Sequence, residues 1–272
     1  MQDPKHDQVR SRNEPFVAKT ATRIWQEIPD ADNPYLARAA YCYGYDLLEL
    51  MSRRSFSDVF YLLFRGELPT PEQANIFEAL MISLINPGPR HPATRAAMNV
   101  GVGKTNPLHI LPIASAVLGG DYLGGGEIEN AMRFLRKQHA NSARDLFNEW
   151  ADQSTSPDTL AAHGIYGFTQ KYGGVDFLTQ SIANQLSEMP GAGDCLRWGQ
   201  DFARYLHPLG IGWSSTGVAA AVFADLGFHP RAGGCLFQLL GAPGLVAHGL
   251  ELANKPITAM PFVSDDNYVI ER

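Results

Sequence analysis

From Asp46 to Phe64 the apolar residues fall three and four positions apart: Leu47, Leu50 and Met51, then Val59, Phe60, Leu63 and Phe64. That interval returns side chains to one face of a helix and would scatter them over both faces of a strand. Ser55 breaks the run with a hydroxyl suited to an N-cap, and Asp58 follows three residues later, so two short helices are expected. Gly66 stops the second. Thr70-Pro71-Glu72-Gln73 then supplies a hydroxyl cap, a proline in the first turn and a Gln that closes a capping box. The helix it starts, through Leu84, carries Ile76, Leu80 and Leu84 on one face. Asn86-Pro87-Gly88-Pro89 ends it, because proline removes a donor and excludes helical geometry from the residue before it. Further apolar helices are expected over 108–118, 128–135, 218–226 and 232–240, the last two rich in small residues and separated by Pro and Gly breaks. Strand signals are confined to 22–24 and 267–270, so the expected class is all-α.

A chain of 272 residues, 45% hydrophobic and 18% charged, is long enough for one large or two modest domains with a substantial core. Its net charge of −6 argues against nucleic acid as a partner, since phosphate binding draws on clustered Lys and Arg. An anionic ligand would need a local pocket of positive charge. No run reaches the roughly 20 apolar residues of a membrane span, and the richest window, 218–226, carries Asp225, so no membrane partner is expected. Residues 1–14 are polar with no apolar core of a secretory signal; a flexible arm is expected through residue 20. Cys42, Cys195 and Cys235 are odd in number and lack metal-ligand spacing, which points to reduced, mostly buried thiols in a cytoplasmic protein with no metal site. Residues 152–158 read as a surface connection.

Three blocks carry a family resemblance. The first runs from Gly44-Tyr45-Asp46 through Ser55-Phe56-Ser57-Asp58 to Gly66-Glu67-Leu68-Pro69-Thr70. The second is the glycine-rich turn Gly119-Gly120-Asp121-Tyr122-Leu123-Gly124-Gly125-Gly126-Glu127 ahead of the helical pattern at 128–135. The third is Gly217 to Leu252, ending Gly244-Leu245-Val246-Ala247-His248-Gly249-Leu250-Glu251, with Asp265-Asp266-Asn267-Tyr268-Val269 beyond it. Together they resemble the citrate synthase superfamily, and most of all its compact citryl-CoA lyase branch, which also forms the C-terminal part of ATP-citrate lyase. The resemblance implies an all-helical, citrate synthase-like fold in which a large and a small helical domain close over a cleft, in an obligate dimer. The large domain would take 21–123 and 222–272, and the small one 124–221. It also implies chemistry that makes or breaks a C–C bond between a dicarboxylate and the acetyl group of acetyl-CoA.

The positions that would perform that chemistry are substituted. Where the lyase branch reads Asp-His-Gly, this chain reads Asn86-Pro87-Gly88. Leu123 stands where the synthases have a histidine, a place the lyase branch fills with an aromatic residue. Gly191-Ala192-Gly193-Asp194 replaces Gly-x-Gly-His, and Ile211-Gly212-Trp213 replaces Asn-Val-Asp. Gly241 stands where the family has a carboxylate-binding arginine. Pro, Leu, Trp and Gly transfer no protons, and Asp194 would repel the carboxylates that a histidine attracts. General acid–base groups contribute about 10²–10⁴-fold each and are not additive, so loss of the set leaves little of the parent reaction.

Other residues are weighed against plainer readings. His91 and Arg90 in Pro89-Arg90-His91-Pro92 would be replacements for the lost groups, or a surface-loop histidine and a solvated arginine. His248 reads as a core histidine. Arg204 and His207 form an i, i+3 pair near the expected cleft. Arg133, Arg136 and Lys137 share one helix face that would meet coenzyme A phosphates, or simply face water. Gly101-Val102-Gly103-Lys104-Thr105 lacks the first glycine of a P-loop, where Met98 stands, and no strand precedes it.

The leading expectation is therefore a protein of this type without citrate catalysis. It would bind a small carboxylate or acyl-CoA ligand, with no covalently bound cofactor, or serve as one subunit of a homodimer or of a heterodimer with an intact paralogue. The competing expectation is a repurposed lyase or synthase using Asp194, His91, Arg90 or His207. A third keeps citryl-CoA lyase activity on residues that ungapped matching misplaces.

Overall fold

The structure is a computed structural model describing residues 17–153, 160–261 and 263–271. The expected arm through residue 16 and most of the connection at 152–158 lie outside the described residues. The chain divides into two compact units between Glu67 and Leu68. The boundaries expected near residues 123 and 221 fall within the second unit.

In the first unit β1 (Trp25–Pro29), β2 (Ala37–Cys42) and β3 (Tyr45–Asp46) form an antiparallel sheet in that order. Trp25 opposes Cys42 and Ile28 opposes Ala39; the register then slips at Pro29, which has no N–H to give the ladder. Tyr43 (φ +48°) and Gly44 (φ +86°) make the two-residue turn into β3. The strand signal at 22–24 lies just ahead of this sheet, whose exposed strands carry no apolar alternation. Asp46 accepts from the N–H groups of Leu48 and Glu49 and so caps α1 (Leu47–Arg53). Ser55 and Asp58 form the expected capping box of α2 (Phe56–Arg65), and Gly66, at φ +76°, ends it by donating to the Leu62 carbonyl.

The second unit is helical apart from one pair of two-residue strands, β4 (Phe168–Thr169) and β5 (Gly212–Trp213). Its helices are α3 (Pro71–Leu84), α4 (Pro92–Val102), α5 (Ile110–Leu118), α6 (Ile128–Gln138), α7 (Ala143–Gln153), α8 (Phe177–Ser187), α9 (Asp194–Leu206), α10 (Ser215–Asp225) and α11 (Pro230–Ala253). Helix α3 starts on the Thr70/Gln73 capping box read from the sequence. Helix α10 is buried continuously from Thr216 to Ala224, as a helix apolar on every side must be, and packs against α6, α9 and α3. The strand signal at 267–270 is not realised: a 3-10 turn covers Asp265–Asn267 and the residues after it are irregular.

Helix α11 is longer than expected. It continues past residue 240, where the expected helix ended, and runs through Pro243, beside which the Gly244 N–H finds a tertiary partner in the Ile85 carbonyl at 2.9 Å. Its 24 residues are long and apolar enough to cross a membrane by length and composition alone. They pack against α4, α5 and α6, with Gly233, Leu236, Phe237, Leu240 and Leu245 buried. Against α4 the contact is backbone to backbone: a Cβ built on Gly101 would stand 2.0 Å from the Gly249 carbonyl oxygen. Gly101 and Lys104 therefore serve helix packing. The Lys104 ammonium binds the carbonyls of Ala253 and Lys255, at the C-terminus of α11 rather than at a phosphate.

Replacing Gly101 with Ala forces these two backbones apart. Urea unfolding of Gly101→Ala should show a loss of about 1–3 kcal/mol or more. A stability equal to wild type would mean the helices are not in backbone contact.

Candidate functional site

A cavity of about 740 Å³ lies within the second unit, between the α3–α4 loop, the glycine-rich turn, the segment leading into α8 and the start of α10. Pro87, Leu123 and Gly241, three of the five positions that the family resemblance singled out, line it, together with Arg90 and His91. A Cβ on Gly241 would stand 2.8 Å from Leu118 Cδ2 and 3.5 Å from Pro87 Cγ, so apolar atoms fill the space where a side chain from α11 would emerge.

His91 is neither solvated nor free. It is half-buried at the N-cap of α4, where its Nδ1 accepts from the Ala93 N–H at 3.1 Å. Nε2 must then carry the proton, and it donates to the Leu123 carbonyl at 3.0 Å. Leu123 is buried at φ +54°, a conformation that disfavours a leucine by about 1–2 kcal/mol and persists only where surroundings fix it. His91 is one of the groups that fix it. Burial lowers the basicity of His91; the bond to Leu123 opposes this and the Lys171 charge adds to it. With one ring nitrogen accepting and the other donating, His91 is a neutral fastener.

Sequence reasoning missed the opposite wall. Lys171, Tyr172, Asp176 and Thr179 line it. Asp176 caps α8, accepting from the Thr179 N–H and hydroxyl, and pairs with the Lys171 ammonium. Burial works against ionisation of Asp176, but the bonds from Lys171 and Thr179 prevail and hold its carboxyl below the usual range. An Asp three residues before a Thr, ahead of an apolar run, was the available cap signal.

Ser214 and Ser215 line the cavity at the head of α10. The Ser214 hydroxyl accepts from the Gly217 N–H at 2.9 Å and lies 2.7 Å from the Thr216 hydroxyl, which donates to Glu127 at 2.8 Å. Thr216 spends its proton on Glu127, so Ser214 donates to Thr216 and has no base of its own. Burial raises the Glu127 carboxyl; the Thr216 bond opposes this and the Asp121 charge reinforces it.

The remaining sequence candidates do not line this cavity. Asp194 opens α9 with an exposed side chain 3.8 Å from Arg197, beside a second hollow lined also by Arg136, His139, Cys195 and Asp225. There Asp225 closes the N-terminus of α9 by accepting from the Cys195 and Leu196 N–H groups at 2.8 and 3.0 Å. Burial, with Asp225 beside it, pushes the Cys195 thiol up to about 12, which makes it inert. Cys42 is also buried and Cys235 is exposed.

Trp213 is buried, stacked on Phe168 at 4.5 Å, and donates to Gln200 at 2.9 Å. His207 bonds Gln180, whose amide reaches the same Gln200 oxygen. Arg204 pairs with Asp201 on the surface. His248 accepts from the Asn86 amide at 3.2 Å and lies 3.9 Å from Glu251. The basic face of α6 is divided: Arg133 pairs with Glu129, Arg136 binds the carbonyls of Ala224 and Phe228, and Lys137 is exposed. Among the described residues no three His, Cys, Asp or Glu side chains gather as metal ligands.

This arrangement of helices is the citrate synthase-like fold. It is similar to citryl-CoA lyase from Hydrogenobacter thermophilus, with a TM-score of 0.72 and 26% identity over 93% of this chain and 94% of that one. ATP citrate lyase from Methanothrix soehngenii, solved with citrate and coenzyme A, matches at TM-score 0.65 and 16% identity, over 94% of this chain and 44% of that one. Citrate synthase from Thermotoga maritima matches at TM-score 0.53 and 15% identity, over 94% of each chain. These likenesses support a relationship to the citrate synthase superfamily, as the three sequence blocks implied. No protein-family model matches the chain, and no curated protein matches it.

The tautomer of His91 has a pH consequence. An unfolded histidine titrates near ~6.5 and the folded one lower, so below ~6.5 the unfolded chain binds more protons and stability falls with pH. His207, also lowered by burial, acts in the same sense. Asn keeps an N-cap without titrating. Between about pH 7.5 and about pH 5.5, wild type should lose more Tm than His91→Asn. Equal losses would show that His91 is not held neutral.

Proposed function

We propose that this citrate synthase/citryl-CoA lyase-like chain binds an anionic ligand, a small carboxylate or an acyl-CoA, in the cavity beside His91 without performing citrate chemistry. The observation that supports this is the state of the cavity wall. Pro87, Leu123 and Gly241 carry no titratable group, and the imidazole and the carboxylate that could serve as a base there are engaged: His91 at both nitrogens, Asp176 by Lys171 and Thr179. Enolate formation needs a free base and donors aimed at the developing charge.

Purified chain supplied with acetyl-CoA and oxaloacetate should release free thiol, and supplied with citryl-CoA should form oxaloacetate, at rates about 10⁴-fold or more below an intact family enzyme. A rate within tenfold of that enzyme would overturn the reading. It would instead support the second one, a retained or repurposed C–C lyase, which is favoured by the near-complete mutual coverage with the Hydrogenobacter enzyme.

We also infer that the chain works as a dimer, with itself or with a catalytically intact paralogue. Leu108, Leu111, Ile113 and Val117, along α5 and the turn before it, are exposed apolar side chains that a second subunit would cover. Light scattering should give about twice the 29.8 kDa chain mass, and co-purification of a second homologous chain would identify the mixed dimer. The chain mass alone, with no such partner, would reject both.

A further inference from the structure

We propose that the ligand of this cavity is an organic monocarboxylate with an apolar body, not a di- or tricarboxylate. This rests on the cavity being a binding site for an anionic ligand. The charge around it supports a single acidic group. The titratable residues that line it are Arg90, His91, Lys171, Tyr172 and Asp176. Lys171 is neutralised by Asp176. His91 gives one nitrogen to the Leu123 carbonyl and the other to the Ala93 N–H, so it stays neutral. Arg90, exposed at the cavity edge, makes no ion pair among the described residues and is the uncompensated charge. One guanidinium pairs with one carboxylate through two parallel hydrogen bonds.

A second carboxylate would have to rest elsewhere on the wall, and the wall offers it little. Gly241 gives no side chain, and Leu118 and Pro87 close the space beside it. Ser214, Thr179 and Asn86 already spend polar atoms on Gly217 and Thr216, on Asp176, and on Gly88 and His248, and further hydroxyls of the wall, on Thr169, Tyr172 and Ser215, bring no second positive charge. An unpaired carboxylate buried here would lose its hydration without replacement. The rest of the surface suits a hydrocarbon. Leu84, Leu118, Leu123, Val175, Ile182 and Phe237 form the apolar wall. Phe177 and Leu178, at the head of α8, also line the cavity and are 80% and 71% exposed, apolar surface that the body of a ligand would cover. A volume of about 740 Å³ accommodates a medium-chain or arylalkyl acid with room to spare.

Isothermal titration of the full chain with octanoate, 3-phenylpropanoate, acetate, 1-octanol, citrate, oxaloacetate and coenzyme A tests head and body separately. Octanoate or 3-phenylpropanoate should bind at least about tenfold tighter than acetate, which lacks the body, and than citrate or oxaloacetate, which carry extra charge. Arg90→Gln should weaken octanoate about tenfold or more and leave 1-octanol unchanged. Leu178→Asp, which puts a repelling charge on the rim, should weaken octanoate by a similar factor. Both substitutions fall on exposed side chains, and an unchanged Tm would confirm that each variant folds.

Citrate, oxaloacetate or coenzyme A binding tighter than either apolar acid would overturn the monocarboxylate assignment and leave the anion-binding reading standing. An octanoate affinity indifferent to both substitutions would place the acid outside this cavity and also overturn the assignment. No binding by any probe would overturn both.

Discussion

Helix α11 meets its neighbours backbone to backbone, and the cavity exists because it does. Gly249 lets α4 approach until a Cβ on Gly101 would overlap the facing carbonyl. Near the start of the helix Gly234 admits the backbone of Gly125, from the glycine-rich turn, to within 2.7 Å of where its Cβ would be. Between these, Gly244 meets Asn86 and its N–H takes the Ile85 carbonyl. One helix thus fixes the end of α3, the last turn of α4 and the turn that carries Leu123. The first and third of these border the cavity. Gly125 and Gly119 of the family-like turn are explained by packing on α11, and Gly124 and Gly126 by the tightness of the turn itself, where a Cβ would meet the carbonyls of Gly120 and Leu118 or the Asp121 side chain.

The same contacts decide what the wall can do. Held this close, the turn places the Leu123 carbonyl over His91, and the imidazole is consumed in joining the turn to α4. On the other side Asp176 must cap α8, which keeps it ionised and paired with Lys171. At the head of α10 the Ser214–Thr216–Glu127 chain is closed on itself. His91, Asp176 and Ser214, each a base or nucleophile in isolation, are part of the framework here. A poised catalytic group keeps one lone pair or proton available for substrate, and its pKa lies near the working pH. Asp176 is displaced away from that range, and His91 has no free nitrogen.

The local part of this architecture was legible in the sequence and the long-range part was not. Ser55 with Asp58 and Thr70 with Gln73 announce their helices because both partners lie within one turn. Arg136 resembled a solvated or phosphate-binding residue because its acceptors, the carbonyls of Ala224 and Phe228, lie 88 and 92 residues away. His91 read as a loop residue for the same reason: the carbonyl it holds is 32 positions on. Helix α11 extends beyond the expected residue 240, and the Ile85 carbonyl that takes the Gly244 N–H lies far off in the chain. Of the cavity, the sequence offered one side, through Pro87, Arg90, His91, Leu123 and Gly241. The other side, from Lys171 to Thr179, has no family-like motif and came only from the fold.

The fate of Gly241 links fold and specificity. In a cavity built for several carboxylates, a cation on α11 would need room to extend and a polar path to its ligand. Here the space beside Gly241 is taken by Leu118 and Pro87, and a Cβ alone would press on Leu118. Pro87 takes part in that packing, with its Cγ 3.5 Å from where a Cβ on Gly241 would stand. Pro87, Leu123 and Gly241 meet on one surface and bring no charged side chain to it. A dry surface raises the cost of every unpaired charge that approaches it and favours a ligand that brings only one.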